Sequence, residues 1–324
     1  MKIELLIGDR KGNIFDVSEL ITEATWKTKR KGKPASLELE ILRDENFSFE
    51  NGNVVRFKVD NNNIFYGYIF EYSESKGRTI KLTAYDQTRY LLFNDSCVFT
   101  NKKSSEIVTE ICNSLKLKLG DIEDTGFVIP SLTEEDKKFL DVIYSSLDKT
   151  LSSTKQTFVL YDDFGKISLK NINNMKQQLA ICDDSNLGDY DWKCSIDKDT
   201  YNVIKLAREN KETKKKVYHI DCDKENVEKW GMLQYYKKVD EKMSESQVNE
   251  MLKATLKLRN REAKTLNLKD VVSTNIEGDV KLRGGAGVYV EIKEKNISQW
   301  YLIEEATHKF SNDNLVMDFE LKVV

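Results

Sequence analysis

The chain has 324 residues, with 51 Lys+Arg against 54 Asp+Glu, so a formal net charge of −3 is spread over a sequence that is 32% charged. Without a basic excess, attraction of the whole molecule to nucleic acid or acidic lipid is not expected. The 2 Pro and 15 Gly exclude a collagen-like or Pro/Gly-rich linker protein, and the length allows two or three domains of roughly 100 to 200 residues each.

No stretch approaches the ~18 consecutive apolar residues of a membrane helix. The opening Met1-Lys2-Ile3-Glu4-Leu5-Leu6-Ile7-Gly8 is interrupted by Glu4 and is shorter than a signal-peptide apolar region. It reads as the first strand of a cytosolically made protein without membrane anchoring. The five cysteines, Cys97, Cys112, Cys182, Cys194 and Cys222, are odd in number and lack a C-x-x-C pair. They fit buried reduced thiols better than a disulfide framework.

Period-2 alternation marks the first third as β. Leu37, Leu39 and Ile41 alternate with Glu38, Glu40 and Leu42; Val55, Phe57 and Val59 with Arg56, Lys58 and Asp60; Ile80, Leu82 and Ala84 with Lys81, Thr83 and Tyr85. With the aromatic run Ile64–Tyr72 these predict an antiparallel barrel or sandwich.

The period then changes. Ile107, Val108, Ile111 and Leu115 share a helical face, with Ser104 as N-cap and Gly120 as stop. A second helix is expected from Thr133, with Asp136 three residues on, burying Phe139, Leu140, Ile143 and Leu147. Thr157–Tyr161 and Lys166–Lys170 form a hairpin across Asp162-Asp163-Phe164-Gly165. In the last third, Ser244 and Gln247 make a capping box for a long helix through 263, with Val248, Leu252, Thr255, Leu256 and Arg259 along one stripe. Strand-like segments follow at Thr265–Val272, Val288–Lys293 and Met317–Lys322.

One internal echo stands out. Gly52–Val59 followed by Phe65-Tyr66-Gly67-Tyr68-Ile69-Phe70-Glu71 resembles Gly287–Lys293 followed by Trp300-Tyr301-Leu302-Ile303-Glu304-Glu305. A duplicated barrel and a chance likeness of two meanders both remain open from sequence. The predicted fold is mainly β with an α+β insert: a first barrel over 1–98, an α+β module over 99–176, and a second barrel over 177–324 carrying the helix at 244–263.

Chemistry-bearing constellations are sparse. The two histidines, His219 and His308, have no nucleophile elbow such as G-x-S-x-G to serve. His219-Ile220-Asp221-Cys222-Asp223 lacks the second ligand pair of a closed zinc site. Asp163-Phe164-Gly165 looks like a kinase magnesium motif, but there is no H-R-D stretch, and a hairpin turn accounts for it. Arg283-Gly284-Gly285-Ala286-Gly287 runs into a strand instead of a phosphate-binding helix. Glu304-Glu305 and Asp162-Asp163 are neighbours on one strand or turn, which does not place two carboxylates across a substrate. No catalytic residue, cofactor or metal site is predicted. The basic run Trp26-Lys27-Thr28-Lys29-Arg30-Lys31-Gly32-Lys33, with Lys214-Lys215-Lys216, can be read three ways: a phosphate contact, a solvated loop between strands, or a contact with an acidic protein neighbour.

Several segments in register, Ala84-Tyr85-Asp86-Gln87-Thr88-Arg89-Tyr90-Leu91, Ser104–Val108, Phe158–Lys166, Asn202–Lys205, Lys229–Tyr235 and Gly278–Gly287, resemble the XkdQ/YqbQ family of PBSX-type prophages. These are baseplate hub proteins of contractile phage tails and of phage-tail-like (R-type) bacteriocins. The resemblance implies two tube-like barrels per chain, so that a homotrimer presents six and joins a sixfold tail tube to a threefold spike around a central channel. It implies as partners the tail tube protein, the spike protein, other baseplate proteins and the tape measure, with no specific nucleic acid. The implied place is the bacterial cytoplasm during assembly, then the tail tip of the released particle. Within it, Asp86 and Arg89 are expected to pair, Tyr85 and Tyr90 to pack, and Trp230-Gly231 to anchor the second barrel. Lys27, Lys29, Arg30, Lys31 and Lys33 form the candidate inter-ring contact loop. The competing readings are a tail-associated peptidoglycan hydrolase and a carbohydrate- or receptor-binding module. Against the latter, Trp26, Trp192, Trp230 and Trp300 are scattered and are expected in the core.

Overall fold

The computed structural model describes residues 1–9, 11–44, 47–74, 76–209, 215–311 and 314–323. Two compact units emerge: Met1–Asp191 with Leu266–Val324, and the inserted Trp192–Thr265.

The first unit opens with β1 (Ile3–Gly8), β2 (Ile14–Asp16), β3 (Ile21–Lys29), β4 (Ser36–Leu42), β5 (Val54–Val59), β6 (Asn62–Glu74) and β7 (Thr79–Tyr85). Their alternation is the one expected from sequence: Leu37, Leu39, Ile41, Val55, Phe57, Val59, Ile80, Leu82 and Ala84 all face the core. A 3-10 turn at Gln87–Leu92 leads into β8 (Asn94–Lys103), α1 (Ser104–Ser114), β9 (Leu119–Ile122), β10 (Val128–Lys138), α2 (Phe139–Thr154), β11 (Phe158–Asp162) and β12 (Ile167–Asn171). Next come β13 (Lys176–Cys182) and β14 (Asp189–Ser195), which reaches the insert.

The inserted unit holds β15 (Val203–Glu209), β16 (Lys216–Cys222), α3 (Lys224–Trp230), β17 (Gln234–Val239) and α4 (Glu245–Arg259). Then β18 (Ala263–Val272) returns to the first unit, followed by α5 (Ile276–Asp279), β19 (Gly287–Ile292), β20 (Ile297–Phe310) and β21 (Leu315–Val323).

The chain is thus mainly β with an α+β insert, and its β halves are joined edge to edge. The described strands make a 13-stranded sheet in the order β14-β18-β21-β20-β3-β4-β7-β6-β5-β1-β2, with β19 on β20 and β13 on β19. The seam is the antiparallel pairing of β20 with β3, from Glu305 opposite Lys29 to Phe310 opposite Ala24. On one side of the seam the order is β5-β6-β7-β4-β3, and on the other β19-β20-β21-β18-β14. Both long strands carry a bulge at the matching residue. The register slips between Ile69 and Glu71 in β6 and between Ile303 and Glu305 in β20. At both places the bulge re-aims the side chains that follow it. One apolar cluster spans both halves, from Leu5 and Phe57 to Phe310 and Leu321.

Several local expectations are corrected. The second helix starts at Phe139, not Thr133, because Leu132, Thr133 and Glu134 pair with Phe99, Val98 and Cys97 of β8. A bulge follows between Glu134 and Lys137, with Asp136 at φ 48°. Ser104 is the first helical residue, not the cap; its hydroxyl lies 2.8 Å from the Thr150 hydroxyl, while Lys103 N–H donates to Glu106. α1 ends at Ser114, before Lys116 at φ 55°, and Gly120 lies in β9. Of the cysteines, all free, only Cys112 is buried, and burial pushes its thiol up to about 12.

The long helix lies in the inserted unit, not in a barrel, and ends at Arg259. Its Ser244–Gln247 capping box forms, and Val248 and Leu252 pack on Ile204 and Leu206 of β15. Replacing Ser244 by alanine removes one cap bond, so urea unfolding followed by Trp192 and Trp230 fluorescence should report a loss of about 1 kcal/mol. An unchanged midpoint would mean that the tertiary contacts alone hold this helix.

Candidate functional site

Where the sheet halves and the α+β module meet, the run after Lys27 builds a polar, hydrogen-bonded site. Lys27 and Lys29 lie on β3, where the strand's polar face meets carboxylates of neighbouring strands: Lys27–Glu38 at 2.7 Å and Lys29–Glu305 at 2.9 Å. Arg30, 9% exposed, is the buried cation of the run, and its Nε and Nη2 donate to the two Glu304 oxygens at 2.9 and 2.8 Å. The β20 bulge turns Glu304 toward it. Arg30 N–H also donates to the Glu304 carbonyl at 2.8 Å, and the Tyr144 hydroxyl of α2 donates to the Arg30 carbonyl at 2.8 Å. Lys31 pairs with Asp148 of α2 at 2.7 Å. Of the five cations in this run, exposed Lys33 alone has no anionic partner among the described residues. The run is therefore the end of a strand and a lock between elements, not a free basic loop. In the second basic cluster, Lys214 lies outside the described residues.

Asp86 sits beside this lock. It caps the 3-10 turn, accepting from Thr88 N–H at 3.0 Å, and it accepts from the Ala35 N–H at 3.3 Å. The expected Asp86–Arg89 ion pair is not what forms. Arg89 lays its guanidinium over the Phe70 ring, 5.3 Å from its centre. Tyr85 and Tyr90 pack through the same ring, at 5.6 and 5.9 Å.

Asp162 approaches from the β11–β12 turn, held by Gly165 N–H at 2.6 Å. Phe164 and Gly165 take φ 48° and 87°, so the Asp-Phe-Gly tripeptide is a hairpin turn. From the turn before β19 comes Arg283, which donates through Nη1 to the Asp162 carbonyl at 3.0 Å. Its guanidinium lies between the Tyr161 ring at 4.5 Å and the Trp26 ring at 5.5 Å. Burial raises both carboxyls, Asp86 to about 6 and Asp162 to about 8, and for Asp162 the Asp86 charge adds to it. The pair thus keeps a proton at neutral pH. The cavity at Asp86, about 20 Å³, holds a water at most, so it offers no sugar subsite. His308 is fully buried against Trp26, and burial lowers it to about 4, leaving it neutral.

The outer face of the sheet is polar and cross-linked by opposite charges, with Lys309–Asp318 at 2.8 Å, Lys81–Glu40 at 3.6 Å and Lys58–Glu4 at 3.4 Å beside the pairs of β3. Such exposed pairs add little stability, at roughly 0.2 to 1 kcal/mol each, but they neutralise lysines along the face.

In the inserted unit, Trp230 is half-buried at the end of α3, and Gly231 at φ 77° ends that helix, its carbonyl accepting from Asn202 at 2.7 Å. The pair therefore closes a helix of the insert and does not anchor the second half of the sheet. Only Trp26 of the four tryptophans is a core residue; Trp192 and Trp300 are 42% and 37% exposed. The insert also exposes Tyr218, Ile220, Tyr236 and Met232. Among the described residues no group of three or more His, Cys, Asp or Glu is placed to hold a metal, and no helix is long and apolar enough to cross a membrane. Arg283 went unnoticed in the sequence as a site residue because Asp86, Asp162 and Trp26 are remote from it along the chain.

A family model described as YQBQ-like matches residues 24–322. Protein YqbQ of Bacillus subtilis (strain 168) is 26% identical over 311 residues, covering 94% of this chain and 92% of its own length. The phage-like element PBSX protein XkdQ of the same organism is also 26% identical over 311 residues, covering 94% and 93%. Among solved structures, the prophage MuSo2 43 kDa tail protein from Shewanella oneidensis shares the fold, with a TM-score of 0.73 at 13% identity over 99% of this chain and 98% of its own.

Proposed function

The chain belongs to the YQBQ-like family, and on that premise we propose that it is a structural hub in the baseplate of a contractile phage tail or phage-tail-like bacteriocin. The observation that carries this reading is the repeat of strand order, with its matching bulges, on the two sides of the β3–β20 seam. A chain with two like halves turns three copies into six near-equivalent positions. Three such chains around an axis can seat against a sixfold tube on one side and a threefold spike on the other. The polar face of the sheet is assigned to the channel, because its paired lysines leave few unmatched cations to hold a passing polyanion. The exposed apolar residues of the insert are assigned to a protein neighbour. Tube, spike and further baseplate proteins are the partners this role requires, with assembly in the bacterial cytoplasm and residence at the tail tip.

Mass photometry of the purified chain, alone and with its tube and spike proteins, should give a three-chain species, and class averages of the tail tip should show six sheet halves around one axis. A chain that stays monomeric in the presence of both partners would overturn the proposal.

A further inference from the structure

The three strands of the inserted unit leave one face of their sheet open. The order is β16-β15-β17, with β15 antiparallel to β16 and parallel to β17. Ile204 and Leu206 of β15 lie on the side that Val248 and Leu252 of α4 cover. Alternation therefore sends Lys205 and Ala207 to the other side. The register sets Ile220 and Tyr236 beside Lys205, and Tyr218 and Lys238 beside Ala207, in two adjacent rows across the sheet. On this face Tyr218, Ile220 and Tyr236 are 49%, 57% and 45% exposed. Large side chains gathered in water on one side of a sheet mark a contact surface, as scattered single ones do not.

Charge separates this face from the large sheet of the first unit. There the lysines are matched, Lys27 by Glu38, Lys29 by Glu305 and Lys309 by Asp318. On the open face of the insert, Lys205, Lys216 and Lys238 form no ion pair among the described residues. The Lys205 ammonium lies over the Tyr218 ring, 4.5 Å from its centre, and the one carboxylate on the face is Glu209, opposite Lys216. Three lysines against one carboxylate, around an apolar middle, complement an apolar surface edged with acid. Strands ~4.8 Å apart that rise ~3.3 Å per residue make the face about 10 Å by 20 Å, the footprint of one extended segment of about six residues. Single-stranded nucleic acid is also drawn to lysine, but it stacks its bases on bare rings. Lys205 already occupies the face of Tyr218, and Ile220 offers no ring.

We propose that the open face of the insert docks an extended acidic segment of another protein in the particle. Apolar side chains of that segment seat among Tyr218, Ile220 and Tyr236, and its carboxylates meet Lys205, Lys216 and Lys238. The inference rests on the assignment of the insert to a protein neighbour and gives that neighbour its chemistry.

Particles carrying p-benzoylphenylalanine in place of Tyr236, irradiated and digested, should yield a cross-linked peptide of net negative charge from a different protein, sequenced by mass spectrometry. Lys216→Glu with Lys238→Glu, both at exposed positions, should lower the cross-link yield at least about fivefold. Lys216→Arg with Lys238→Arg should keep it. The proposal is overturned by particles that contain the chain and give no cross-link, by a neutral or basic partner segment, by a second copy of this chain, or by a cross-link to nucleic acid. Mass photometry separates it from the hub reading. A three-chain species whose probe cross-links to nothing sinks the docking face alone; an acidic cross-link from a chain that stays monomeric with tube and spike sinks the hub alone.

Discussion

Arg30→Ala should be the most damaging single change outside the apolar core, lowering the stability of the first unit by about 3 kcal/mol. Its side chain makes two charge-assisted bonds to Glu304, and the exposures of the two side chains are 11% and 21%, so water replaces little of what is lost. Alanine strands Glu304 on the bulge of β20, where the nearest other cation, Lys29, is already paired with Glu305. Arg30→Lys should recover only part of the loss, because a single ammonium cannot reproduce the two parallel bonds. Glu304→Gln in the Arg30→Ala background should cost less than it does alone. Chemical denaturation of the four proteins of that cycle gives the coupling directly. A coupling below about 0.5 kcal/mol would mean the pair behaves like a surface ion pair and does not lock the seam.

Asp162→Asn should stabilise the protein, and increasingly so as pH rises. A carboxyl raised from 3.8 to about 8 binds its proton more tightly folded than unfolded. Its favourable contribution is complete below about pH 4 and is lost as pH climbs through the folded value. Asp86, raised to about 6, follows the same sign within the same window. Asparagine keeps an acceptor for the Gly165 N–H and has no charge to bury. The unfolding free energies of parent and variant should therefore diverge from about pH 4 to pH 8 and run parallel above it. A difference independent of pH would refute the buried charge as its cause.

The strands of the first half were legible because one face of each is core and the other solvent, which writes a period of two into the sequence. The echo between Phe65–Glu71 and Trp300–Glu305 was legible for the same reason, and both segments carry a bulge at matching positions. The seam was not legible. Lys29 and Glu305 meet across 276 residues, and no local pattern announces a partner at that distance. The start of α2 was misread because Thr133 and Asp136 have the chemistry of a cap, while their backbone is held by β8 instead. Residues 192–265 were assigned to the second half because their strands alternate like any others, whereas their contacts close on themselves. The basic run looked like a solvated loop because the anions that neutralise it come from β4, α2 and β20. The functional direction came from the family resemblance, since no constellation of residues announces a hub.

The seam also sets a schedule for the chain as it is made. β3 leaves the ribosome early, yet Glu305 of β20, the partner of Lys29, follows 276 positions later. At about 5–20 residues per second that interval lasts roughly 14 to 55 s. Throughout it, one edge of the newborn first half stays open to any passing strand. Translation rate should therefore govern yield: synonymous codons that slow synthesis between β4 and β20 lengthen the exposure, and a soluble product depends on how quickly the C-terminal half arrives to close it.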